Sequence, residues 1–173
     1  MPDHKPLFRT ALACKIVGLD RLRFNDAVAN GVYTCAPPTA KGSSRLFDAD
    51  AMIPLYLFAR LTDFGITAGR AGAMACDVAS TLKQDSYRDN DRITLVRGTR
   101  GEHFRGSAPL DHKGDLIVKE LYDPDHEKNG SEYRGAGRVI LTVDFYISHI
   151  RSIIADGIAD ELRKYGQDDE ADA

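Results

Sequence analysis

Apolar residues recur at spacings of three and four through the first eighty positions of this chain, and after a polar stretch they recur at two. Leu7 to Lys15 predicts a short helix with Leu12 and Ile16 turned inward. Val17-Gly18-Leu19-Asp20 then gives a turn and an N-cap, because the Asp20 carboxylate can accept from the free amides of the next helical turn. Leu22, Phe24, Ala27 and Val28 supply the inward face of a second helix, which Asn30-Gly31 stops. Val32 to Pro38 is an extended piece, and Lys41-Gly42-Ser43-Ser44 is a turn before Arg45-Leu46-Phe47. Together these predict a small hairpin with Tyr33 and Phe47 in its core. Asp48 or Asp50 caps a third helix carrying Met52, Leu55, Phe58 and Leu61, and Gly65 ends it before Ile66-Thr67 opens a fourth. Pro54 removes one backbone hydrogen bond from the third helix, so it fits only near the first turn. Gly69 and Gly72 each cost the fourth helix about 1 kcal/mol relative to Ala, so that helix must gain from close packing of a small face.

The period changes beyond a polar junction near Gln84 to Arg92, where no apolar face can form. Ile93 to Val96, Leu116 to Tyr122 and Val139 to Ile147 are rich in β-branched and aromatic residues and predict three strands of a small sheet. Gly98 to Gly114 and Asp123 to Gly137 read as long loops. From Ser148 to Tyr165, Ile150, Ile153, Ile154, Ile158 and Leu162 form one apolar stripe on a final helix. That stripe must be covered, either by the sheet or by the same helix of a second subunit. Gln167 to Ala173 is acidic and predicts a disordered tail. The expected fold class is α+β, with domains at 1–85 and 86–166 and the tail at 167–173.

Composition narrows the function classes. The 173 residues include 43% hydrophobic ones, enough for an ordinary core, yet no stretch reaches the roughly 20 apolar residues that span a bilayer. Met1 to Ala13 carries Asp3, His4, Lys5 and Arg9 and has no signal-peptide centre, so a cytoplasmic protein without a membrane partner is expected. Cys14, Cys35 and Cys76 are odd in number and widely spaced, which predicts reduced thiols and neither a disulfide framework nor a thiolate metal site. The net charge of −3 hides an asymmetry, because residues 1–85 are slightly basic and the remainder is acidic. His103, His112 and His126 lie near acidic residues but lack a ligand spacing, so no metal is expected. Phosphate-loop, nucleophile-elbow and zinc-protease motifs are absent from the sequence, so neither an enzyme nor a cofactor is expected.

Two short helices joined at a glycine form the helix-turn-helix arrangement, whose second helix enters the major groove. The order of the pieces that follow resembles the MerR family of winged helix-turn-helix regulators. Pro37-Pro38, Gly42, Arg45-Leu46-Phe47, Asp48-Ala49-Asp50, Met52 to Phe64 and Phe64-Gly65-Ile66-Thr67 stand in that family's order, and Leu22-Arg23-Phe24 resembles its recognition-helix sequence. The likeness covers Leu7 to Leu82. Asn25 departs from it, standing where the family has a second aromatic, and the family's long dimerisation helix is replaced here by the junction and the strands. The resemblance implies an N-terminal winged helix-turn-helix domain that binds double-stranded DNA, with Arg23 and Arg45 on phosphates. Predicted position adds Lys15, Lys41, Ser43 and Ser44 as backbone contacts and Arg21 and Asn25 as base readers. One such module buries little surface, so a homodimeric transcriptional regulator is expected, with any small-molecule effector left open. The alternative is a phage- or prophage-type assembly protein that uses the same DNA module in packaging or recombination.

Overall fold

The computed structural model describes residues 6–83, 92–97, 103–108, 117–123 and 138–171. The fold is α+β. In chain order the elements are β1 (Phe8–Arg9), α1 (Thr10–Val17), α2 (Arg21–Ala29), β2 (Leu46–Phe47), α3 (Ala49–Asp63), α4 (Ala68–Thr81), β3 (Arg92–Arg97), β4 (His103–Ala108), β5 (Ile117–Asp123), β6 (Arg138–Tyr146) and α5 (Ile147–Ala171). They divide into two compact units, one of residues 1–87 with 150–173 and one of residues 88–149. The terminal helix, expected with the strand-rich domain, thus returns to the N-terminal helices.

In the first unit local chemistry sets each helix boundary. Gly18 ends α1 in the left-handed region at φ 73°. The Asp20 carboxylate accepts from the Arg23 amide at 2.9 Å, and the Asp48 carboxylate accepts from the Ala51 amide at 2.7 Å. Asp48 is therefore the cap of α3, and Asp50 lies in its first turn. Pro54 sits one turn deeper than sequence reasoning allowed, where it denies the Asp50 carbonyl its amide partner. Burial offsets that loss, because Met52, Ile53, Leu55, Leu57, Phe58, Ala59 and Leu61 are all enclosed and make α3 the central helix. Around it Phe24 meets Tyr33 edge-on at 5.6 Å and Phe47 at 5.8 Å, and Tyr33 meets Phe58 at 5.3 Å.

The expected hairpin is replaced by a different pairing. Phe8 pairs with Phe47 and Arg9 with Leu46, so the partner of the Leu46–Phe47 strand comes from the N-terminus. Val32 to Pro38 is not a strand. Its backbone donors are used elsewhere: the Val32 and Tyr33 amides donate to the Ala27 carbonyl at 2.8 and 3.0 Å, the Cys35 amide donates to Cys76 Sγ at 3.1 Å, and the two prolines have none.

Cys35 and Cys76 form a disulfide, with Cα atoms 5.2 Å apart, which corrects the expectation of three reduced thiols. Their separation of 41 positions carries no signal by itself, and it is the packing of α4 on the segment after α2 that brings them together. Gly72 is the point of closest approach: a Cβ there would stand 2.1 Å from the Val32 carbonyl oxygen. Gly69, treated as its equal in the sequence, has no described atom within 4 Å of such a Cβ. Cys14 is free and buried, and burial first, then the nearby Asp20 charge, pushes its thiol up to about 11.

Within the same unit α5 lies against α1 and α3. Gly157 approaches Ile16 closely, a Cβ at 157 being 3.0 Å from Ile16 Cγ2, while Ile150 and Ile154 are buried. Arg151 donates to the Asp50 carboxylate in the first turn of α3. Lys15 Nζ lies 2.6 Å from Glu161 Oε2, and Lys164 Nζ donates to Glu161 Oε1 at 2.7 Å. These two lysine hydrogen bonds hold the Glu161 carboxyl below its ordinary value of 4.5. A depressed carboxyl contributes stability above that ordinary value and loses it as pH falls through the lower folded value. Glu161→Gln is accordingly expected to lower the melting temperature at pH 7, and the difference from wild type should shrink progressively as pH falls below 4.5. Calorimetric scans from pH 7 down to pH 3 check this. The helix continues to Ala171, so most of the expected disordered tail is helical, Gly166 notwithstanding.

The second unit is a four-stranded antiparallel sheet in the order β4-β3-β6-β5. Leu95 stands opposite Val143 on one side and Arg105 on the other, and Val118 opposite Val143. Strand β4 lies inside the segment read as the first long loop, where His103, Phe104 and Arg105 are diluted by Gly106, Ser107 and Ala108. The 84–91 junction and most of the two predicted loops, with His112 and His126, lie outside the described residues.

Candidate nucleic-acid interface

Helix α2 packs inward through Phe24 and Ala27. At about 100° per residue, Leu22 and Ala29 then point directly away from the core. Leu22 is 66% exposed, which corrects its assignment to the inward face. Residues 22 and 24 are two apart and cannot share one face of a helix; the bulkier Phe24, with two ring contacts, takes the core. Asn25 and Asp26 flank the outermost line on either side, with Arg21 and Arg23 a further step round toward the core on their respective sides, all four exposed. Arg23 Nη1 lies 3.7 Å from the Asp63 carboxylate at the end of α3, which Arg60 also approaches at 3.7 Å. Half-exposed in every member, this cluster orients the two guanidinium groups without neutralising both.

The second expected element is the turn before β2. Gly42 takes φ 83°, Thr39 Oγ1 donates to the Ser43 carbonyl at 2.9 Å, and Ser43 Oγ donates to the Ala40 carbonyl at 2.9 Å. Lys41, Ser43 and Ser44 are exposed on it. The Ser44 hydroxyl accepts from the Thr10 amide at 3.3 Å, and the same amide donates to the Arg45 carbonyl at 3.1 Å, which ties the turn to the start of α1. Ser44 therefore has a structural task beside the expected one.

Two expected cations are placed differently from the sequence reading. Lys15 is engaged by Glu161 on the side of α1 that α5 covers. Arg45 alternates with Leu46 onto the side of buried Phe47 and is half-buried, and its Nε has no hydrogen-bond partner among the described residues. Arg9, which the sequence reading passed over, is exposed opposite Leu46. A two-residue strand is too short to carry a period, so no pattern around Arg9 in the sequence marks it. Arg9, Arg21, Arg23 and Lys41 are thus exposed cations on α2, the turn before β2 and its partner strand.

No family model matches this chain, and no curated protein does. The functional reading rests on the chain's own geometry. Among the described residues no helix is long and apolar enough to cross a membrane, and no group of three His, Cys, Asp or Glu side chains is placed to hold a metal ion.

Proposed function

We propose that the first unit is a helix-turn-helix module of MerR-like type, with the Lys41 turn in the place of a wing hairpin, that binds double-stranded DNA, and that the protein regulates transcription as a homodimer. The observation that carries this is the outer arc of α2. It is capped, anchored by Phe24, and presents Arg21, Asn25 and Arg23, with the acidic Asp26 among them, around an apolar apex at Leu22, and the Lys41 turn is a second exposed cationic element. Arg to guanine and Asn to adenine are the bidentate pairs that read the major groove, and an apolar apex suits the thymine methyl. Arg9, Arg23 and Lys41 would supply phosphate contacts, which carry affinity and make it fall with salt. Ile150 and Ile154 of the α5 stripe are buried within their own chain, whereas Leu162, expected on the same covered face, is 61% exposed, so the stripe is only partly available for dimerisation.

Fluorescence anisotropy of a labelled duplex selected from random sequence, measured across salt concentrations, tests the reading. Arg23→Ala and Lys41→Ala are each expected to lower the slope of log K against log salt by about one unit. Lys15→Ala, whose partner is Glu161, should leave the slope as it is. Unchanged slopes for both Arg23→Ala and Lys41→Ala would remove the assigned face.

A further inference from the structure

We propose that Cys35 and Cys76 are a reversible thiol-disulfide latch that sets the mobility of the Lys41 turn. Four observations lead there. Both cysteines are half-buried, so a small thiol or disulfide can reach them, whereas Cys14 is enclosed. With its thiol pushed up to about 11, Cys14 holds almost no thiolate near neutrality and does not compete in exchange. The Cys35 amide donates to Cys76 Sγ at 3.1 Å, so an N–H donor stands beside that sulfur in the closed form. The close passage of Gly72 beside Val32 keeps the two backbones together without the bond, so opening it leaves the partners within reach for closure.

The consequence follows from the loop. Tyr33 and Phe47 are buried anchors at its two ends, and the disulfide adds a third anchor at Cys35. From Cys35 the chain runs through Ala36 and the stiff Pro37-Pro38 pair to Thr39, whose hydroxyl holds the turn at Ser43. A restraint at Cys35 is therefore passed along semi-rigid backbone to Lys41. In closure, the thiolate of one of the two cysteines attacks a sulfur of a low-mass disulfide such as oxidised glutathione and expels one glutathione thiolate. The thiolate of the other then attacks the protein sulfur of the mixed disulfide and expels the second. Two protein thiols are oxidised, one glutathione disulfide is reduced to two glutathione thiols, and the two protons released from the cysteines go to those thiols.

The test equilibrates the whole chain in glutathione buffers of graded ratio, then alkylates it and digests it briefly with trypsin. At the reducing end Cys35 and Cys76 should take the alkylating label while Cys14 does not, and cleavage after Lys41 should be about tenfold faster than at the oxidising end. Cys35→Ser should cleave at the fast rate at every ratio, with its circular dichroism spectrum unchanged. A bond that stays closed at the reducing end, or cleavage after Lys41 at one rate in both forms, overturns the latch. Its bearing on function rests on the duplex reading above, under which duplex affinity should differ several-fold between the two forms. Redox-dependent cleavage with no duplex binding in either form would retire the DNA reading and leave the latch standing.

Discussion

Replacing Cys35 and Cys76 together by serine is expected to lower the free energy of unfolding by about 4 kcal/mol. The bond joins positions 41 apart, and a closed loop of that length removes chain entropy from the unfolded state in proportion to the logarithm of its size. Little of the loss comes from the folded side, where Tyr33, Phe24 and Phe58 still anchor the segment through their rings. The denaturation midpoint should fall while the steepness of the transition rises, because the uncrosslinked chain unfolds to a more open ensemble. Urea unfolding of the oxidised protein beside the double variant measures both. An unchanged midpoint would mean that the two sulfurs are not joined in solution.

Gly72→Ala is expected to destabilise by about 2 kcal/mol, against the usual preference for alanine in a helix. The added methyl would meet the Val32 carbonyl oxygen at 2.1 Å, and both sides of that contact are backbone. Helix α4 and the segment after α2 would have to part by roughly 1 Å, and no side-chain rotamer can absorb such a shift. Gly69→Ala is the control: with open space around it, it should gain up to about 1 kcal/mol from helix propensity alone. Since Cys76 lies one helical turn beyond Gly72 and is bonded to Cys35, parting the backbones also strains the bond's surroundings. The cost of Gly72→Ala should therefore be smaller in the cysteine-free protein, and a double-mutant cycle reads that coupling. Equal costs in the two backgrounds would show the two contacts to be independent.

How much of this was legible in the sequence depends on range. Asp20, Asp48, Gly18 and Gly65 mark helix ends through interactions within one turn, and each does in the structure what its residue type predicts. The three apolar strands are legible for the same reason, since alternation is a nearest-neighbour property. What escaped is set by contacts across the chain. The Phe8–Phe47 pair spans nearly forty positions, and two-residue strands are too short to carry a period. The Cys35–Cys76 bond depends on a glycine that reads, in isolation, only as a weak helix residue. Leu22 and Phe24 compete for one inward face, and only the ring contacts of Phe24 decide it. Strand β4 was hidden because half of it is Gly, Ser and Ala.

The candidate site divides in the same way. Arg21, Arg23 and Asn25 were legible as outward residues once Phe24 was taken as core, and Lys41 and Ser43 as residues of an exposed turn. Lys15 and Arg45 were not. Their surroundings are made by Glu161, 146 positions away, and by the turn of Arg45 toward the side of Phe47, neither of which leaves a trace nearby in sequence. Arg23 was legible as a cation but not as a partner of Asp63, which it shares with Arg60.

The central claim is that the outer arc of α2 and the Lys41 turn engage one duplex together. Amide hydrogen exchange of the whole chain, with and without a selected duplex at low salt, tests it most directly. The account predicts added protection over residues 20–30 and 39–47, with none over residues 147–164. Protection that spares both segments while the duplex is bound, or that falls on the 92–146 strands instead, would contradict it.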